Sequence, residues 1–172
     1  MAFRLPVALL FACGLMVSSP AMADEADDDL PQQWQEIEVP FPPTPLRENL
    51  LPLYVSAATN NKFFIDGSSL SIGSDAVIRY VMVVETPEGG RNVTFEGMRC
   101  ETRERRIYAS GRQGGEWSKS RKKEWVRIQD AYANRQHAAL FLEYFCPFGN
   151  SVRSVAEARD ALVRGGHPDV RR

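Results

Sequence analysis

Apolar and polar residues alternate with a period of two through the middle of the chain, and the period lengthens toward helical spacing near its end. Lys62-Phe63-Phe64-Ile65-Asp66 reads as a strand, Gly67-Ser68-Ser69 as a tight turn, and Leu70-Ser71-Ile72 resumes the alternation. After a second turn at Gly73-Ser74-Asp75, the run from Val77 to Val84 is rich in β-branched residues and largely apolar on both faces. That pattern predicts a central strand covered on either side. Pro87-Glu88-Gly89-Gly90 turns the chain again. From Arg91 to Ser110 two strand-like runs follow and meet near Cys100, with Val93 and Phe95 alternating against Asn92, Thr94 and Glu96. Arg105, Ile107 and Ala109 alternate with Glu104, Arg106 and Tyr108; Gly111 to Gly115 turns back, and Trp125-Val126-Arg127-Ile128 reads as a further strand.

The remaining elements have weaker or different periods. Ala138, Phe141, Leu142 and Phe145 fit one helix face after an Asn134 cap, but Leu140, Leu142 and Tyr144 would equally alternate in a strand. Ser154-Val155-Ala156-Glu157 is a capping box that opens an amphipathic run to Arg164, stopped by Gly165-Gly166. Leu46 to Leu51 suggests a short helical turn ending before Pro52. Upstream lie Pro31, Pro40, Pro42, Pro43 and Pro45, interspersed with Trp34, Ile37, Val39 and Phe41. Proline favours extended geometry there, and aromatic side chains are costly to expose, so this arm is expected to wrap over its own domain through Trp34 and Phe41, the alternative being a peptide-like arm presented to a partner. The predicted fold is α+β: a twisted antiparallel sheet over residues 63–128, with C-terminal helices packed on it and a proline-rich extended N-terminal arm. The expected organisation is a signal peptide at 1–23, an acidic and proline-rich arm at 24–45, a single domain at 46–166 and a loose tail at 167–172.

Composition narrows the setting. The 172 residues are 44% hydrophobic with a formal charge of −1, which suits one domain with a real core and no general nucleic-acid binding. Arg4 precedes an apolar run from Leu5 to Val17, and Ala21-Met22-Ala23 has the small-x-small pattern of a signal-peptidase site. Such a run is too short for a bilayer span of about 20 residues. Cleavage after Ala23 and export to the periplasm are therefore expected, with no transmembrane span left in the mature chain. Leu10-Phe11-Ala12-Cys13 offers the alternative of an outer-membrane lipoprotein anchored through Cys13. In either case Cys100 and Cys146 remain as an even pair in an oxidising compartment, where a disulfide is the expected outcome.

Catalytic signatures are missing: no Gly-x-Ser-x-Gly elbow, Walker loop or His-Glu-x-x-His occurs. His137 and His167 are the two histidines. His137 beside Asp66, Glu96 or Glu143 could serve a hydrolase-like envelope enzyme, but a satisfied helix histidine explains it better. No catalytic residue, metal site or cofactor is assigned. The run Lys119-Ser120-Arg121-Lys122-Lys123, flanked by Trp117 and Trp125, is the candidate surface for a partner. Cations interleaved with aromatics can hold an anion and stack on its body. The partner would be an envelope protein or an anionic envelope component. The plainer reading is a solvated hairpin whose tryptophans cap the core. Arg103, Arg105 and Arg106 alternate with Glu101 and Glu104, which suggests cross-strand pairing.

Several stretches carry a family likeness. Phe63-Phe64-Ile65-Asp66, Ser69-Leu70, Arg79-Tyr80, Asn92 to Gly97, Arg99-Cys100, Tyr108-Ala109-Ser110-Gly111 and Trp117 resemble the cryptic neisserial protein family. The likeness runs from about Trp34 to Cys146 and implies an exported protein of a Gram-negative bacterium; it brings no catalytic residues with it. Met98 to Ser110, with Trp125 and Ile128, is also similar to surface-adhesin protein E, which bears on architecture alone.

Overall fold

The computed structural model describes residues 33–130 and 135–170. The expected signal peptide with Cys13 and Ala23, the acidic stretch 24–29 and the expected Asn134 cap lie outside the described residues. Residues 34–172 cluster as one compact unit, so the proline-rich arm from Trp34 onward is part of the domain.

Seven strands among the described residues form one antiparallel meander. They are β1 (Leu50–Leu53), β2 (Lys62–Ile72), β3 (Val77–Glu85), β4 (Arg91–Arg99), β5 (Glu104–Gly111), β6 (Trp117–Lys119) and β7 (Val126–Arg127). Their order is β1-β2-β3-β4-β5-β6, and β7 pairs with the early part of β5. As the run of branched residues predicts, β3 lies inside the sheet, and every residue from Val77 to Val83 is buried. The sheet starts earlier than expected, because Leu46–Leu51 is not one helical turn. Arg47–Asn49 makes a single 3-10 turn, and the chain then enters β1 at Leu50. Pro52 is tolerated because β1 is an edge strand.

Gly67-Ser68-Ser69 is not a hairpin turn either. β2 runs through it, and its pairing with β3 is interrupted between Asp66 and Ser71. Local side chains replace the lost ladder bonds. The buried Asp66 carboxylate accepts from Ser68 N and Ser68 Oγ, and Ser69 Oγ accepts from Val81 N at 2.8 Å. Turn-forming residues here build a bulge, since their side chains satisfy the backbone without a reversal.

One face of the sheet is covered by the C-terminal segment. The helix-or-strand ambiguity at 134–145 resolves as helix: α1 (Arg135–Ala139) runs into a wide π-helical turn at Leu140–Phe145, where Cys146 N donates to Phe141 O. The wider turn lets Leu140, Phe141, Tyr144 and Phe145 all reach the core with Ile78, Tyr80, Met82 and Met98. It also delivers Cys146 to Cys100, at the β4–β5 turn, with Cα atoms 5.5 Å apart and the disulfide formed. α2 (Val155–Val163) is capped by Ser154 as the capping box predicts, with Glu157 N donating to Ser154 Oγ. His167 is not in a loose tail: it is buried, its N–H donates to Glu143 O, and its Nε2 lies 3.1 Å from Glu157.

The other face carries a smaller apolar cluster of Val81, Val83, Phe95 and Ala109. What covers it is the proline-rich arm, through Val39 and Phe41.

Candidate functional site

The arm lies over the sheet as a strap, and its anchors are mostly polar. Trp34 Nε1 donates to Asp75 O at 2.9 Å, and its ring receives the Arg99 guanidinium at 3.7 Å. The Asp75 carboxylate accepts the Ile37 N–H at 2.9 Å, while an Arg79 N–H donates to the Ile37 carbonyl at 2.9 Å. One ion pair thus satisfies both backbone groups of one arm residue, as a neighbouring strand would. Asp75 and Arg79 bond each other at 2.6 Å, with both side chains 1% exposed. Burial opposes the charged Asp75 carboxyl, but bonds from Arg79 and from the Ile37 and Val77 N–H groups outweigh it and hold its pKa below the usual range.

Glu36 is the second anchor. It pairs with Arg106 and accepts from Tyr108 Oη at 2.7 Å and Trp125 Nε1 at 3.3 Å. Tyr108 is aimed there by an irregularity: Phe95 pairs with Ala109 but Glu96 pairs with Ile107, so Tyr108 is an extra residue in β5. Gly97 makes room for it, since a Cβ at that position would lie 2.4 Å from Tyr108 Oη. Burial and the bond to Glu36 push the Tyr108 phenol well up, so it stays a donor. Farther along, Trp117 Nε1 donates to Pro42 O at 2.7 Å, and Phe41 packs against Phe95 and Trp117. Thr44 Oγ1 donates to the carbonyl of Gly115, whose φ of +89° and close approach to Thr44 both favour glycine.

Between strap and sheet a cleft of about 490 Å³ remains. It is lined by apolar Val39, Phe41, Phe95 and Ile107 and by charged groups of both signs, Lys119, Lys122 and Lys123 with Glu36 and Glu38. The sequence candidates therefore divide. Lys119, Lys122 and Lys123 meet at the cleft, whereas exposed Arg121 is not among its lining residues. Trp117 and Trp125 are half-buried and hold the strap, so they are not free stacking platforms. Arg106 pairs with the arm and not across the sheet, while Arg99 and Glu104 do form a pair within the ribbon at 3.2 Å.

His137 stands on the opposite face. Its Nε2 is 2.8 Å from Glu96 Oε2, and Glu96 also accepts from Tyr80 Oη and Thr94 Oγ1. Burial opposes the Glu96 charge, yet His137, Thr94 and Arg105 together hold its pKa below the usual range. His137 Nδ1 is buried without a partner among the described residues. Both residues are closed into the sheet–helix layer, 4% and 2% exposed. Among the described residues no group of three or more His, Cys, Asp or Glu is arranged to hold a metal ion.

Sequence reasoning missed Asp75, Arg79 and Glu36. A usable signal was present: an arginine inside the apolar run Val77 to Val84 must be paired if it is buried, and Asp75 sits four residues before it.

This geometry defines an α+β protein with one sheet face sealed by helices and the other strapped by its own N-terminal arm. The chain belongs to the CNP1-like family, which it matches over residues 29–163. No curated protein and no solved structure matches it.

Proposed function

We propose that this is an exported, periplasmic binding module without catalytic activity, whose site is the cleft under the strap. The observation that carries this reading is one cleft that brings three lysines together with apolar side chains, while Glu36 in its lining is already held by Arg106, Tyr108 and Trp125. Such a site suits an anionic envelope component with an apolar body: the lysines attract its phosphate or carboxylate, and Val39, Phe41 and Phe95 cover its carbon skeleton. The leader-like start with its Ala23 site, the Cys100–Cys146 disulfide and the resemblance to cryptic neisserial proteins all support a periplasmic setting. Lipid attachment at Cys13 would instead tether the same module to the outer membrane. No helix among the described residues is long and apolar enough to cross a membrane.

The test is capture on vesicles of zwitterionic lipid doped with an anionic phospholipid. The wild-type protein is captured in proportion to the anionic fraction, and capture falls as salt rises. Lys119→Glu with Lys122→Glu lowers it at least tenfold, and equal capture of both proteins would remove the reading.

A hydrolase using His137 is the second reading, favoured by the 2.8 Å contact with Glu96. The burial of both groups supports a structural role instead. Turnover of model esters that vanishes in His137→Gln would reinstate the enzyme.

A further inference from the structure

The geometry points to a second occupant for the strap groove: residues 34–45 of another copy of this chain, exchanged arm for arm. The groove reads an extended peptide. Arg99 takes the ring of Trp34, Arg106 with Tyr108 and Trp125 takes the Glu36 carboxylate, and Asp75 with Arg79 takes the Ile37 backbone. All of these are contacts between the arm and the sheet with its flanking turns, and a second copy presents the same residues to it.

The arm can leave without dismantling the fold. No arm residue belongs to the main core between sheet and helices. Its departure uncovers Val81, Val83, Phe95 and Ala109, an apolar patch that must be covered again. Within the arm, Pro42, Pro43 and Pro45 stiffen the chain and favour an extended course once the groove contacts break. An identical arm supplies the cover with no new chemistry, which makes exchange a low-cost route to a dimer. Glu36 to Phe41 form one wall of the cleft, so in the exchanged pair each cleft is walled by two chains. Exchange deepens the cleft reading, but its test measures association between chains and not anion capture. Intramolecular closure benefits from an effective concentration of the order of millimolar, so the closed monomer prevails in dilute solution.

The experiment mixes two full-length variants. One carries an intact arm and a broken groove (Arg106→Glu); the other carries an intact groove and a weakened arm (Trp34→Ala with Glu36→Ala). Each alone is a monomer by light scattering, and the equimolar mixture at roughly 0.1–1 mM gains a species of twice the mass. A mixture that stays monomeric overturns the proposal. Where Arg106→Glu does not fold, a labelled synthetic peptide of residues 34–45 replaces that chain. Anisotropy then shows binding to the weakened-arm protein, lost at least tenfold when Arg99→Ala is added. No binding, or binding indifferent to Arg99, overturns it. The association is read by mass and by anisotropy in the absence of any vesicle, so its failure is distinct from a failure of anion capture.

Discussion

The two faces of the sheet are closed by opposite means. On the helical face, closure is apolar and covalent: Leu140, Phe141, Tyr144 and Phe145 fill the core, and the disulfide ties that segment to the β4–β5 turn. Its main buried carboxylate, Glu96, is held by Tyr80, Thr94 and His137. On the strapped face, closure is polar and directional, made by Asp75–Arg79 on a peptide unit and by three donors on Glu36. Apolar burial is non-directional and scales with area, so the helical face is a stability element. Hydrogen-bonded anchors give register at modest net strength, so the strapped face is the one that opens more readily.

The strongest way to break this contrast is to cut the covalent tie. Cys100→Ala with Cys146→Ala opens a loop closed across 46 residues and should cost about 4 kcal/mol by the chain-entropy account, read from denaturant unfolding. Destabilisation well under 1 kcal/mol would show that apolar packing alone seals the helical face. Next in size is Arg79→Met, which leaves the Asp75 charge buried without its partner and should cost about 3 kcal/mol. Limited proteolysis of that variant should release the arm first.

Smaller effects sharpen the comparison. Gly97→Ala forces the Tyr108 ring away from its place against Gly97 and should cost about 1–2 kcal/mol, with Trp125 fluorescence shifting as Glu36 loses a donor. Trp34→Ala removes a cation–π contact and one hydrogen bond, for about 1 kcal/mol, with amide exchange rising in the arm and not in α1. Acid should act on both faces. Asp75 and Glu96 have folded pKa values below the ordinary carboxylate range, so the stability they contribute is fully present above their unfolded values. It is lost as pH falls through the folded values, below about 4. A stability profile flat from pH 6 to 2 would contradict both assignments.

Much of this architecture is written in local pattern. Period-two alternation marked β2 to β5 and the interior place of β3, and the Ser154 capping box marked α2. The cysteine count, in a chain whose start reads as a signal for export, pointed to the pairing found between Cys100 and Cys146. Those signals are readable because a strand or helix must repeat its apolar face at a fixed interval, and a cap needs its oxygen at a fixed position. Where side-chain bonding replaced backbone bonding, pattern misled: Gly67-Ser68-Ser69 continues a strand, and His167 is buried against Glu157.

The site itself was decided in three dimensions. Glu36 and Arg106 are seventy positions apart, and nothing in either neighbourhood names the other. Trp117 and Trp125 read either as ligand platforms beside a basic run or as caps on the core, and only the fold of the arm made them its anchors. The sequence by itself determined β3 to β5, α2 and the sulfur pair, because those follow from short-range periodicity and composition. Tertiary structure alone decided which polar groups would share a face, because a buried charge takes its partner from whatever the folded chain brings within hydrogen-bonding distance.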